Sequence, residues 1–133
     1  PGTCALPLEL LVNSSTDGSV AGLPDIDSGD VCEDFGGEAV LRFIADADGP
    51  VCVSTVFDIN RAVDPSLFVQ TTCGDPDTEI VCSNDIGGPL DDALQAQVEF
   101  VATEDDTYFI VVSANPGDNG GAFSVALSSG TCN

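Results

Sequence analysis

The side chains of this chain that could do chemistry are carboxylates and cysteines, and little else. Aspartate and glutamate number 23, against two basic residues (Arg42 and Arg61) and no histidine. Nucleophilic catalysis through serine or cysteine needs a histidine or lysine base, and the chain contains neither. Paired carboxylates can hydrolyse a glycoside, but any acidic protein contains such pairs. Platforms for stacking a sugar are also scarce, since Trp is absent and Tyr108 is the only tyrosine. Tyr108 falls in an apolar run, where a tyrosine belongs to a core. Asp27-Ser28-Gly29 has the form of the aspartic-protease triplet. Two such aspartates must share a proton at close range, so a dimer would be required. The preceding Leu23-Pro24-Asp25-Ile26 lacks the apolar strand that would bury the pair, so the triplet reads as a turn. The missing lysine also excludes Lys–Asn isopeptide crosslinks.

Calcium is the chemistry the carboxylates suit best. It takes about six to eight hard oxygens at roughly 2.3–2.6 Å from adaptable loops. Asp25, Asp27 and Asp30, with Glu33 and Asp34, lie on one such loop, and Asn84, Asp85 and Asp91, with Asp92, on another. The first is not an EF-hand, because Gly29 falls one place early and no helix pattern flanks it. The competing reading of both loops is a solvated acidic surface.

The six cysteines, Cys4, Cys32, Cys52, Cys73, Cys82 and Cys132, are even in number, and no CxxC pair or histidine accompanies them. That disfavours a metal site and points to disulfides formed in an oxidising space outside the cytosol. Cys73 and Cys82 flank an insert, residues 74–81, between two strand-like runs, which reads as a hairpin closed by its own bridge. Joining Cys4 to Cys132 would pin both termini and leave Cys32 to pair with Cys52. Six cysteines allow many connectivities, so only Cys73–Cys82 is expected from the residues themselves.

These groups sit on a framework of period two. Ala39, Leu41, Phe43 and Ala45 alternate with Glu38, Val40, Arg42 and Ile44. Leu94, Ala96, Val98 and Phe100 alternate with Gln95, Gln97 and Glu99, and Phe123, Val125 and Leu127 with Ser124, Ala126 and Ser128. Each is a half-buried strand. Residues 107–113 are apolar on both faces, as a central strand should be. Further strands are expected at 5–12, 18–22, 50–57, 66–71 and 78–82. Turn-formers separate the runs: Thr16-Asp17-Gly18, Asp48-Gly49-Pro50, Gly74-Asp75-Pro76, Gly87-Gly88-Pro89 and Asn115-Pro116-Gly117-Asp118. About eight or nine short strands with no internal repeat or linker predict an all-β, antiparallel β-sandwich in one domain, 1–133.

The formal charge of −21 disfavours nucleic acid and anionic membranes as partners. It suits a high-salt or divalent-rich medium, where screening lengths fall to about 3 Å at molar salt, or serves solubility alone. No run approaches the roughly 20 apolar residues of a membrane span. The chain opens at Pro1 without the basic and apolar regions of a signal, so a secreted form would already have lost its leader. Asn13-Ser14-Ser15 fits an N-glycosylation acceptor.

The order of motifs resembles the bacterial pre-peptidase C-terminal domains. Asp64-Pro65-Ser66-Leu67-Phe68-Val69, Cys73-Gly74 and Cys82-Ser83-Asn84-Asp85 are similar to that family's D-x-x-L-x-V…C-G…C-x-D-D core. Asp105-Asp106-Thr107-Tyr108-Phe109-Ile110-Val111-Val112 and Gly121-Ala122-Phe123-Ser124-Val125 resemble its ending. The likeness spans roughly residues 38–128. It implies a jelly-roll-like sandwich without catalysis of its own, usually an accessory module of a secreted hydrolase, with some members binding calcium or polymers. Two departures from the pattern are read here: the chain is expected to stand alone, with no enzyme domain attached, and it carries Asp105-Asp106 where the family commonly places a glycine turn.

The expected function is therefore a secreted, non-catalytic structural protein, a self-assembling or surface-coating subunit (homo-oligomer or filament) stabilised by calcium. The alternative is an accessory module that grips an extracellular polymer such as a polysaccharide or collagen. The apolar run 5–12 is either the first strand of its own sheet or an addition to a neighbour's edge.

Overall fold

The computed structural model describes residues 2–20, 22–23, 37–55, 66–83, 96–114 and 122–132. Alternation of apolar and polar residues produces nine strands among them: β1 (Leu8–Glu9), β2 (Ser14–Ser19), β3 (Gly37–Ile44), β4 (Gly49–Thr55), β5 (Ser66–Gln70), β6 (Glu79–Ser83), β7 (Gln97–Ala102), β8 (Thr107–Ala114) and β9 (Ala122–Ser129). A short 3₁₀ turn, Pro76–Thr78, precedes β6. The strands form a five-stranded sheet, ordered β1-β3-β8-β5-β6, and a four-stranded sheet, ordered β2-β9-β4-β7. Pairing is antiparallel except between β1 and β3, which run parallel. The expected all-β sandwich is the observed architecture.

One core lies between the sheets. Ala39, Leu41 and Phe43 of β3, Tyr108, Ile110 and Val112 of β8, and Leu67 and Val69 of β5 meet Val51 and Val53 of β4, Val98 and Phe100 of β7, and Phe123, Val125 and Leu127 of β9. Each fully buried large apolar side chain contributes about 1.5–3 kcal/mol. β8 is the middle strand of its sheet. Its sequence is therefore apolar on both faces: Val111 points away from the core and packs with Val40 and Phe68 in a second buried cluster.

The N-terminal third departs from expectation. Of residues 5–12 only Leu8–Glu9 pairs as strand, opposite Leu41–Arg42. Residues 2–6 form a turn, in which the Gly2 N–H donates to the Leu6 carbonyl (2.7 Å) and the Leu6 N–H to Thr3 Oγ1 (3.1 Å). Pro7, lacking an N–H, separates this turn from the ladder. The strand expected at 18–22 lies earlier, at Ser14–Ser19, and runs through the supposed turn Thr16-Asp17-Gly18. Asn13 makes the turn instead, in the left-handed region (φ 57°), with the Ser14 N–H and Oγ both donating to the Leu11 carbonyl at 3.2 and 2.6 Å. Gly18 serves packing. A Cβ on it would lie 2.7 Å from Phe123 Cζ and 2.9 Å from Leu8 Cδ1, closer than real Cβ atoms approach.

Candidate functional site

The two outer faces of the sandwich differ. On the five-stranded sheet two rows of outward residues are themselves buried. Registers align Val40, Val111, Phe68 and Cys82 in one row and Glu38, Ser113 and Ser66 in the next. All of these except Cys82 are at most 1% exposed. A strap of the first residues runs beside β3, where the Val40 N–H donates to the Gly2 carbonyl at 2.9 Å and the Leu10 N–H to the Arg42 carbonyl at 3.0 Å. Arg42 pairs with Glu9 at the exposed end of this contact, and surface pairs of this kind contribute up to about 1 kcal/mol. The strap is tied to the β5–β6 loop by the Cys4–Cys73 disulfide. Gln70, buried, holds that loop by accepting the Gly74 N–H at 2.9 Å. Thr78 Oγ1 reinforces it, donating to the carbonyls of Thr72 and Asp75 at 3.1 and 2.8 Å.

The outer face of the four-stranded sheet is open, small and polar. Ser15, Ala126, Ser54 and Gln97 form a row across all four strands, and Ser128, Cys52 and Glu99 a second. The Cys52–Cys132 disulfide fastens the C-terminal segment to this face. Cys132 also donates its N–H to Glu99 Oε1 at 2.9 Å. β7 is an edge strand, and no described strand pairs with its outer side. It presents Val101, which is 72% exposed.

Among the described residues no aromatic platform accompanies this surface. Phe43, Phe68, Phe100, Tyr108 and Phe123 are buried, and Phe109 packs against the second cluster. Tyr108 is a core residue, as its run predicts. Its ring lies 5.0 Å from that of Phe100, and its hydroxyl accepts the Thr103 N–H at 2.9 Å.

The pairing expected from the cysteines is corrected. Cys73 bonds Cys4, not Cys82. The hairpin ladder ends at Gln70 opposite Glu79, so Cys73 sits in the loop beyond the last rung, while Cys82 lies inside the strand opposite Phe68. Cys82 is also disulfide-bonded, to a partner outside the described residues. Nor does Cys4 meet Cys132, because the N-terminal strap belongs to one sheet and Cys132 to the other, and packed sheets stand about 10 Å apart. Cys132 takes Cys52, which removes the Cys32–Cys52 pairing. Cys32 lies outside the described residues, as do Asp25, Asp27, Asp30, Asn84, Asp85 and Asp91, the residues of both calcium loops. Among the described residues no group of three or more Cys, Asp or Glu is arranged to hold a metal ion.

One acidic feature escaped the sequence reading. The β3–β4 and β7–β8 turns bring Asp46, Asp48, Glu104, Asp105 and Asp106 to one end of the sandwich. There Asp48 Oδ1 accepts the Glu104 N–H at 2.7 Å, and the Asp105 N–H donates to the Ala45 carbonyl at 2.8 Å. Asp105 adopts the left-handed backbone conformation usual for glycine (φ 72°). Aspartate tolerates that region better than most residues. The shared charge of two adjacent turns could have revealed the cluster once the strands were placed.

No family profile and no curated protein sequence matches the chain. Solved structures do. The pre-peptidase C-terminal domain of a Bacillus anthracis collagenase is similar with a TM-score of 0.57 and 15% identity, over 92% of this chain and 94% of that one. CorA, a surface-associated copper-binding protein of Methylomicrobium album BG8, is similar with a TM-score of 0.50 and 13% identity, over 93% and 98%. The likeness read from the sequence motifs thus holds at the level of the fold. No helix among the described residues is long and apolar enough to cross a membrane.

Proposed function

We propose that this chain is a secreted, non-catalytic structural module of one domain that assembles with copies of itself or coats a surface. The observation that carries the reading is the edge of β7, with which no described strand pairs on its outer side. Edge strands invite pairing with another chain unless lysine, proline or a cover blocks them. β7 has no such residue, exposes Val101, and turns the charge of Glu99 toward its own C-terminal segment. The absence of histidine and lysine removes the usual catalytic bases, and disulfides on both outer faces suit an oxidising exterior. Copies each carrying a charge of −21 repel one another, so assembly needs screening by salt or calcium bound at the two acidic loops.

Electron microscopy of the protein purified from its source tests this. Particles that shorten on chelation or at low ionic strength, and that fail to form with Val101→Glu, support the reading. Particle length unchanged by all three overturns it.

A second reading rests on the fold shared with a collagenase's pre-peptidase C-terminal domain: the open polar face of the four-stranded sheet grips an extracellular polymer. Co-sedimentation with insoluble polysaccharide or collagen distinguishes the two. The lack of an aromatic platform among the described residues supports assembly over sugar binding.

A further inference from the structure

We infer that Asn13 is an N-glycosylation site of the folded molecule. The acceptor triplet Asn13-Ser14-Ser15 lies where modification leaves the fold intact. Asn13 is exposed, at the turn that leads from the strap into edge strand β2, and Ser15, the hydroxyl that completes the triplet, is exposed on that strand. The intervening Ser14 hydroxyl is committed to the Leu11 carbonyl.

The two branches of the Asn13 amide have different duties. Oδ1 accepts the N–H of Ser129 at 3.3 Å, which ties the turn to the end of β9. Nδ2 has no hydrogen-bond partner among the described residues. It is the atom that a glycan takes.

The transfer needs a lipid-linked oligosaccharyl diphosphate as donor. Nδ2 attacks the anomeric carbon of the sugar. The bond from that carbon to the phosphate oxygen breaks, the N–C glycosidic bond forms, Nδ2 gives up one proton, and the polyprenyl diphosphate departs. The product is still an amide, so Oδ1 keeps its bond to Ser129 and the turn keeps its geometry. A bulky, hydrated glycan here stands at the mouth of β2. It shields that edge of the four-stranded sheet and leaves β7, on the opposite edge, as the one that no described element covers.

The inference takes from the functional reading only that the chain meets a secretory pathway, and the test supplies one. The chain is secreted from yeast behind a cleavable leader, then cut after Glu9 and before Asp17 to isolate residues 10–16, because trypsin has few sites in a chain with two basic residues. The expected result is a hexose- and N-acetylhexosamine-bearing peptide 10–16 in the native sequence. Enzymatic deglycosylation in heavy-oxygen water should convert Asn13 to labelled aspartate. Ser15→Ala, which keeps Asn13 and its bond to Ser129, should abolish both signals while leaving the disulfides and the thermal midpoint unchanged. Peptide 10–16 recovered without sugar from folded, disulfide-bonded native protein overturns the inference, as does a glycan that persists on the Ser15→Ala peptide.

Discussion

Pulled by its ends, this molecule should stretch far less than its length allows. The bridges Cys4–Cys73 and Cys52–Cys132 interleave along the chain. The covalent route from one end to the other therefore crosses from residue 4 to 73, returns along the backbone to 52, and crosses again to 132. Only the stretch 52–73 lies on that route, 73 minus 52 or 21 steps. At about 3.5 Å per extended residue it spans roughly 74 Å. Adding bridges with Cα separations of 5.8 and 5.1 Å sets the limit near 85 Å. Fully reduced, the route is 132 minus 4, or 128 steps, about 450 Å. Cys4→Ser with Cys73→Ser restores the direct path from 4 to 52, or 48 steps, for about 170 Å. Single-molecule force spectroscopy with handles at the termini reads these lengths directly, with and without reductant. The few residues outside the bridges add about 15 Å in every case. An oxidised molecule that extends past about 150 Å, or one indifferent to reductant, would refute the staple arrangement.

Three substitutions probe the scaffold. Gly18→Val forces a side chain into Phe123 and Leu8, and should destabilise by about 1–3 kcal/mol in denaturant titration; no change would mean that the ring and Leu8 yield freely. Tyr108→Phe removes the acceptor of the Thr103 N–H and should cost about 1 kcal/mol; a neutral result would show that water takes the hydroxyl's place. Asp105→Gly should be neutral or mildly stabilising in thermal unfolding, whereas Asp105→Val should cost about 1–2 kcal/mol, because its backbone is left-handed; equal effects would remove backbone conformation as the cause.

The sandwich was legible because side-chain alternation is a local property. Ala39, Leu41 and Phe43 could be assigned to one face, and residues 107–113 to a central strand, without knowing any partner. Turn chemistry was less decisive. Asn13 and Gly18 lie five positions apart and both are turn residues, yet only Asn13 turns the chain, while Gly18 makes room for a ring that arrives from residue 123. The disulfides were least legible. Which cysteines meet depends on the outer face each one reaches, and that follows from sheet order, a property of the whole chain. Spacing made Cys73 and Cys82 look like partners, but the register set Cys82 opposite Phe68. The calcium loops lie outside the described residues, and the acidic turns at Asp48 and Asp105 converge only once β3, β4, β7 and β8 are placed.

The central claim is that copies of this domain associate once their charge is screened. Sedimentation equilibrium of the purified, oxidised chain, from low salt, where the screening length is roughly 30 Å, to molar salt, where it is about 3 Å, with and without millimolar calcium, tests that claim most directly. The expected mass climbs steeply from the 13.5 kDa monomer as screening increases. A monomer at every salt and calcium concentration would contradict it.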